Sequence, residues 1–380
     1  MDTEPALDAK SIRSIARRAL GSPDAVPGAW RVAPIAGPLR PTTRIYRVEG
    51  SARAGDADRE WSAILKVVPH PVTEEQAREV EVYRSGLLEA LPEGLRAPRL
   101  LLMERRPDGA VWLWLEDVAE AEAAWDIPRY ALAARHLGRF SAQQLAPGTL
   151  EGEPPYLSRG WLRGWIEANA SAIANLASRQ HDPLVRRGYP PEVASGVLGL
   201  WGRRGALLDG LDRLPQTLCH LDAHRGNLIG ARRGRRRETV LLDWQFAGAG
   251  PIGADAAPLL GATVTEGFLP ADEAGALEEA VYGGYLGGLA EGGWRGDDRQ
   301  ARAGYAGVAG LRYTLGATRF LLPMLLNAAE GGAQAAALGT TVDDLARTMA
   351  CLFPLFLALA AEAETLLAAL AAEGGAAPVS

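Results

Sequence analysis

"CHLDAHRGNLIGARRGRRRETVLLDW", residues 219–244, is the stretch whose reading decides the fold. It sets His220, Asp222, His224 and Asn227 close together in a chain with only five histidines. Two chemistries compete for that pattern. His-x-Asp-x-His, as His220, Asp222 and His224, suits the metal grip of a hydrolase. Asp222 and Asn227, five apart, suit the base and metal ligand of a phosphoryl-transfer loop.

The residues that follow separate the two. "NLIG" and "TVLLD" have the apolar character of short strands, and "ARRGRRRE" between them is a basic turn. In an antiparallel hairpin, the residue before the first strand and the residue after the second lie at the same end. The spacing therefore predicts that Asn227 and Asp243 converge, with Asp222 on the entering loop within reach. A carboxylate and an amide oxygen make a hard-oxygen pair suited to Mg²⁺, and a second carboxylate beside them can orient a hydroxyl. A zinc site needs three or four ligands. The remaining histidines, His70, His136 and His181, sit in no ligand-like cluster. His220 is expected to be a loop residue that bonds backbone near Asp222. The same hairpin puts the "RRGRRR" run, 232–237, at the end far from Asp243, as a solvated turn rather than a nucleic-acid or membrane patch.

The pattern His-x-Asp-x4-Asn, followed by an apolar strand ending in Asp-Trp, resembles the aminoglycoside phosphotransferase and choline kinase family, relatives of the protein kinases. The continuation "DWQFAGAGPIGADAAPLL" carries the resemblance further, with Asp255 after the Gly/Pro turn. The resemblance implies an α+β, two-lobed, protein-kinase-like fold with a small β-rich N-lobe and a larger, mainly helical C-lobe. It implies that Asp222 serves the substrate hydroxyl, that Asn227 and Asp243 hold Mg²⁺, and that Asp255 braces the loop. Gln245 and Ser141 stand where relatives often have Glu and His.

A kinase-like fold also needs a strand lysine on the nucleotide phosphates, held by a helix glutamate. The 40 basic residues include only two lysines, Lys10 and Lys66. Lys66 lies in the apolar strand "AILKVV". In the following helix, "TEEQAREVEVYRSGLLEAL" (73–91), Thr73 is the expected N-cap. Glu79, one turn before Tyr83 as in the family's Glu-x3-Tyr pattern, is the partner the resemblance implies, with Glu75 next. The phosphate loop falls on "IAGPLRPTTRIYRV", which is poor in glycine, and Thr42 and Thr43 are its phosphate-binding candidates. "LWLEDV" reads as the hinge. There the resemblance assigns the C=O of Glu116 and the N–H of Val118 to a nucleobase.

Around these motifs, residues 8–20 read as an amphipathic helix. "RIYRVEG" (44–50) and "WSAILKVVP" (61–69) read as a strand pair joined by a Gly- and charge-rich connection, and "RLLLMERR" and "AVWLWLEDV" as two further strands. From about residue 126 the chain turns to Ala/Leu-rich helices. The expected division is an N-lobe of residues 1–118 and a C-lobe of 119–380, with the catalytic loop and metal-binding hairpin at 219–255. The chain is 48% apolar and 23% charged, which places it among globular proteins. A formal net charge of -6 argues against nucleic-acid binding. Two cysteines, an acidic N-terminus and no signal-like apolar core point to the cytoplasm. The longest apolar run, Cys351–Ala361, is short for a bilayer span and contains Pro354, so a buried core helix is expected and no membrane.

The expected function is transfer of the γ-phosphoryl group of ATP, or GTP, to a hydroxyl of a small molecule, with Mg²⁺. The alternatives are a nucleotide-binding pseudokinase scaffold, another transferase on the same fold, and the metal-dependent hydrolase. The acceptor and the oligomeric state are not written in the sequence. For the acceptor pocket, Trp161 and Trp165 share a helix face at i,i+4 and offer either core packing or an aromatic wall for a ring or a cation. Glu167 and Glu266 are candidate acidic partners for an amine.

Overall fold

A computed structural model describes residues 5–35, 44–122, 124–145 and 154–374. The fold is α+β. The chain divides into two compact units, one of residues 1–90, 96–121 and 229–245, the other of 91–95, 122–228 and 246–380. The hairpin that follows Asn227 thus belongs with the β-rich first unit.

The first unit is built on an antiparallel five-stranded sheet. Its strands are β1 (Val26–Pro34), β2 (Arg44–Ala54), β3 (Ala57–Val68), β4 (Leu100–Arg105) and β5 (Val111–Glu116), in the order β1-β2-β3-β5-β4. Alternation along β3 separates two cores. Trp61, Ala63 and Leu65 pack with Val48 and Trp114 against Ile12 and Ile15 of helix α1 (Ala9–Leu20). On the opposite face, Ile64 and Val68 pack with Val80 and Tyr83 of helix α2 (Glu74–Arg84). Lys66, two residues from each of Ile64 and Val68, therefore faces α2. That helix starts at Thr73, whose side chain and Gln76 form a reciprocal capping box.

The connection expected between the first strand pair is itself strand. β2 and β3 stay paired out to Ala54 and Ala57, and the turn is confined to Gly55 and Asp56. Gly50 marks close packing rather than a turn, because a Cβ there would lie 2.7 Å from the Ala29 carbonyl and 3.1 Å from the Trp61 ring.

In the second unit, the helix Ile127–Gln144 packs against Ala274–Glu291 with the backbones almost touching. A Cβ on Gly284 or Gly288 would fall 2.2 or 2.0 Å from the carbonyls of Ala131 and Arg135. The strand Gln216–Cys219 pairs antiparallel with Gly248–Pro251, in register Cys219↔Gly248. This pair holds the start of the 219–227 loop. The apolar run 351–361 is part of a 33-residue helix, Val342–Gly374. Contrary to the sequence expectation, that helix is long and apolar enough to cross a membrane by length and composition. One face of it is packed: Phe353 lies 5.1 Å from the Tyr189 ring, Phe356 lies 5.5 Å from the Tyr313 ring, and both phenylalanines are fully buried.

Candidate active site

The residues singled out by sequence fall into two clusters, one in each unit. In the first unit, the Lys66 ammonium lies 2.5 Å from Glu79 Oε2 and donates to Asp243 Oδ1 at 2.9 Å. All three side chains are buried. Glu75, the second choice for this role, is exposed. The neighbouring Arg78 donates to the Gln245 carbonyl at 2.5 Å, so α2 is tied to the chain just beyond Asp243. Asp243 itself has φ 62°, a conformation unfavourable for a residue with a side chain. One ammonium thus ties two buried carboxylates together.

Glu116 closes β5. Its carboxylate accepts from Arg96 at 2.9 Å and from the Arg99 backbone at 3.1 Å, and its own N–H donates to the Arg99 carbonyl. Only its backbone C=O is thus in question for a nucleobase. Val118 is half-buried just beyond the strand. Thr42 and Thr43 lie outside the described residues.

In the second unit the 219–227 loop is organised from below by Asp255. Its buried carboxylate accepts from His220 N at 2.9 Å and Leu221 N at 2.7 Å. Burial pushes its acid up to about 6, although those two N–H groups pull the other way. His220 Nδ1 accepts from Asp222 N at 3.2 Å, the backbone role expected of it. His224 Nδ1 accepts from Gly226 N, also at 3.2 Å. Both imidazoles are thus engaged by the loop. Among the described residues no group of three or more His, Cys, Asp or Glu side chains is placed to hold a metal. The hydrolase alternative built on His220, Asp222 and His224 has no support here.

Asp222 is 6% exposed and ringed by donors. Asn227 Nδ2 donates to its Oδ2 at 2.9 Å and to its carbonyl at 3.0 Å. His224 Nε2 lies 3.4 Å from Oδ2, and Arg312 Nη2 donates to Oδ1 at 2.5 Å. Burial alone would raise the Asp222 acid. The His224 and Arg312 contacts outweigh it and hold the group well below the usual carboxylate range, which favours its ionised form at neutral pH. The Asn227 amide nitrogen faces Asp222, which turns the amide oxygen the other way. That oxygen and the Asp243 carboxylate are the hard-oxygen donor types that Mg²⁺ takes.

Arg312 was missed by sequence reasoning. It lies in a chain rich in arginine, beyond the motif-bearing region, and no local pattern marks it. It opens a π-helical turn, Arg312–Gly316, of the kind that often accompanies functional sites. Trp161 and Trp165 stack at 5.7 Å with an interplanar angle of 19°, and the Arg312 guanidinium lies 4.9 and 5.7 Å from their ring centroids. Both rings are half-buried and pack against Arg312. Of the acidic candidates, Glu167 pairs with Arg204, and Glu266 is half-exposed with its carboxylate 4.0 Å from His224.

Residues 43–296 match the phosphotransferase enzyme family, APH. The chain belongs to this family. Membership makes it a small-molecule phosphotransferase. No curated protein sequence matches it. Among solved structures, this phosphotransferase is similar in fold to an aminoglycoside phosphotransferase from Alicyclobacillus acidocaldarius (14% identity, 98% of this chain and 97% of that one, TM-score 0.52). It is likewise similar to the GDP complex of an aminoglycoside 2'-phosphotransferase of type IIIa (14% identity, 92% and 100%, TM-score 0.52). A third is an amicoumacin kinase in complex with AMP-PNP and Ca²⁺ (18% identity, 82% and 88%, TM-score 0.50).

Proposed function

We propose that this phosphotransferase moves the γ-phosphoryl group of ATP, or GTP, to a hydroxyl group of a small molecule, with Mg²⁺. The observation that carries the reading is the buried Lys66 ammonium held between Glu79 and Asp243. A lysine so fixed is a point charge for nucleotide phosphates, and the glutamate keeps it in place when Asp243 turns to another partner.

Asp222 would orient the acceptor hydroxyl and receive its proton as the bond to phosphorus forms. Its low basicity suits a loose transition state, in which the hydroxyl keeps its proton until late. Asn227 and Asp243 are the residues that would hold the cation. Bound Mg²⁺ would neutralise charge on the phosphates. The backbone of Glu116 and Val118 would bind the nucleobase, and Thr42 and Thr43 would meet the phosphates. Two unpaired cysteines, Cys219 and Cys351, support placement in a reducing cytoplasm.

The test is mass analysis of the product after incubation with Mg·ATP and a library of hydroxylated metabolites and antibiotics. Gain of one phosphoryl mass, with release of ADP, supports the reading. Gain of a nucleotidyl mass makes the protein a nucleotidyltransferase. Tight Mg·ATP binding without any product makes it a scaffold.

A further inference from the structure

The phosphotransfer reading gives Arg312 no part, yet no cation is better placed on Asp222. Its guanidinium is nearly buried against Trp161, Trp165 and Tyr313 and clamps both the Asp222 carboxylate and the Leu221 carbonyl, the latter at 2.7 Å. Those are its two hydrogen bonds among the described residues, whereas a guanidinium carries five N–H donors. Trp165 Nε1, beside it, is buried toward Gly316, so that ring offers a ligand its surface rather than its N–H. The guanidinium next to the base therefore carries N–H donors that lack acceptors among the described residues. Buried donors are normally satisfied. A molecule that completes this site brings oxygen acceptors, and negative charge suits it best.

We infer that Arg312 is a specificity-determining residue, and that the acceptor carries an anionic oxygen group, a carboxylate or a phosphate, close to the hydroxyl that is phosphorylated. The anionic group would take the outer edge of the guanidinium as a fork while Asp222 keeps the inner edge. The aromatic wall would pack the acceptor's carbon skeleton. An ammonium in the same place would find no acceptor on the guanidinium and would meet its like charge, with Asp222 on the inner edge offsetting part of the repulsion. This inverts the sequence expectation of an amine held by Glu167 or Glu266. It also separates this chain from any relative whose acceptor is a polycation. The inference rests on the phosphotransfer reading of the same site.

The experiment measures ADP formation by the full-length protein with Mg·ATP. The hydroxylated acceptors are supplied as matched sets in which each skeleton appears with a carboxylate, a phosphate, no charge or an amine. Turnover above the water background is expected for carboxylate or phosphate members, with kcat/KM at least about tenfold above the amine isosteres. Which of the two anions is preferred identifies the group. Arg312→Gln should raise KM for the best anionic acceptor at least about tenfold while leaving KM for Mg·ATP within about twofold. Arg312→Lys keeps the charge and loses the fork, so it should keep the preference for anions at a higher acceptor KM. Best turnover with neutral or amine members overturns the proposal, and so does an unchanged acceptor KM in Arg312→Gln. If the glutamine variant does not fold, loss of the anion preference in Arg312→Lys overturns it instead. ATP turnover with the wrong charge class leaves the phosphotransfer reading standing. Mg·ATP binding with no turnover in any set removes that reading and this proposal together.

Discussion

Asn227 Nδ2 donates to Asp222 Oδ2 at 2.9 Å, so the proposed metal ligand and the proposed base are joined before any substrate arrives. Removing the carboxylate should damage chemistry more than binding. Asp222→Asn is expected to lose about 10² to 10⁴ in turnover, the usual range for a general base, with Mg·ATP affinity retained. Full activity in this variant, measured by ADP release, would sink the mechanism.

Lys66 sits in a buried slot cut for a point charge, with Glu79 on one side and Asp243 on the other. A planar fork cannot take the same position. Lys66→Arg should therefore fail to restore activity, and Glu79→Gln should raise KM for ATP more than it lowers stability. Wild-type kinetics in Lys66→Arg would mean that this lysine serves the fold alone.

On the proposed cation site, Asp243→Ala would remove a charged hard ligand, and Asn227→Ala a neutral one. Calorimetry in the presence of Mg²⁺ should show nucleotide affinity falling in both, more steeply for Asp243→Ala. In metal-free buffer the two variants should bind nucleotide nearly as the wild type does. Equal Mg·ATP affinity in Asp243→Ala and wild type would exclude it as a ligand.

Stability should depend on His136. Burial, assisted by Arg129, Arg139 and Arg135, depresses this imidazole to about 3. In the unfolded chain it takes up a proton near the ordinary value of about 6.5, so the unfolded state gains protons first as pH falls. The group's contribution is fully present above about pH 6.5 and is lost down to about pH 3, at roughly 1.4 kcal/mol per unit. Between pH 6.5 and 5 that is about 2 kcal/mol. Denaturant titrations of His136→Gln should show a shallower loss over this window. Parallel curves for the two proteins would refute the assignment.

Much of this molecule was legible in the chain because its chemistry is local. His220 to Asp255 carries its own spacing, and Lys66 stood out against a background of arginine. The family's Glu-x3-Tyr pattern, carried by Glu79 and Tyr83, picked out the helix residue that meets that lysine. Three things stayed hidden for physical reasons. The stretch 51–60 read as a connection because its glycine and charges resemble a loop, whereas it pairs as strand out to Ala54 and Ala57. The apolar run at 351–361 read as short because alanine-rich flanks add helix length without adding hydrophobic peaks. Arg312 reaches Asp222 across 90 residues of chain, and a contact of that kind leaves no period or motif to find.

Leu221 has φ 64°, a backbone state that glycine enters freely and leucine enters at a steric penalty of about 1–2 kcal/mol. Its side chain is 4% exposed and packs over Gly250, where a Cβ would come within 3.0 Å of it. Burying a leucine contributes about 1.5–3 kcal/mol, enough to hold the strained turn in place. For anyone redesigning this protein, the loop is thus the wrong place to randomise. Changing Leu221 or Gly250 would release the backbone that aims Asp222, whereas Trp161 and Trp165, half-buried on a separate helix, form a surface that a library can vary while the loop stays fixed.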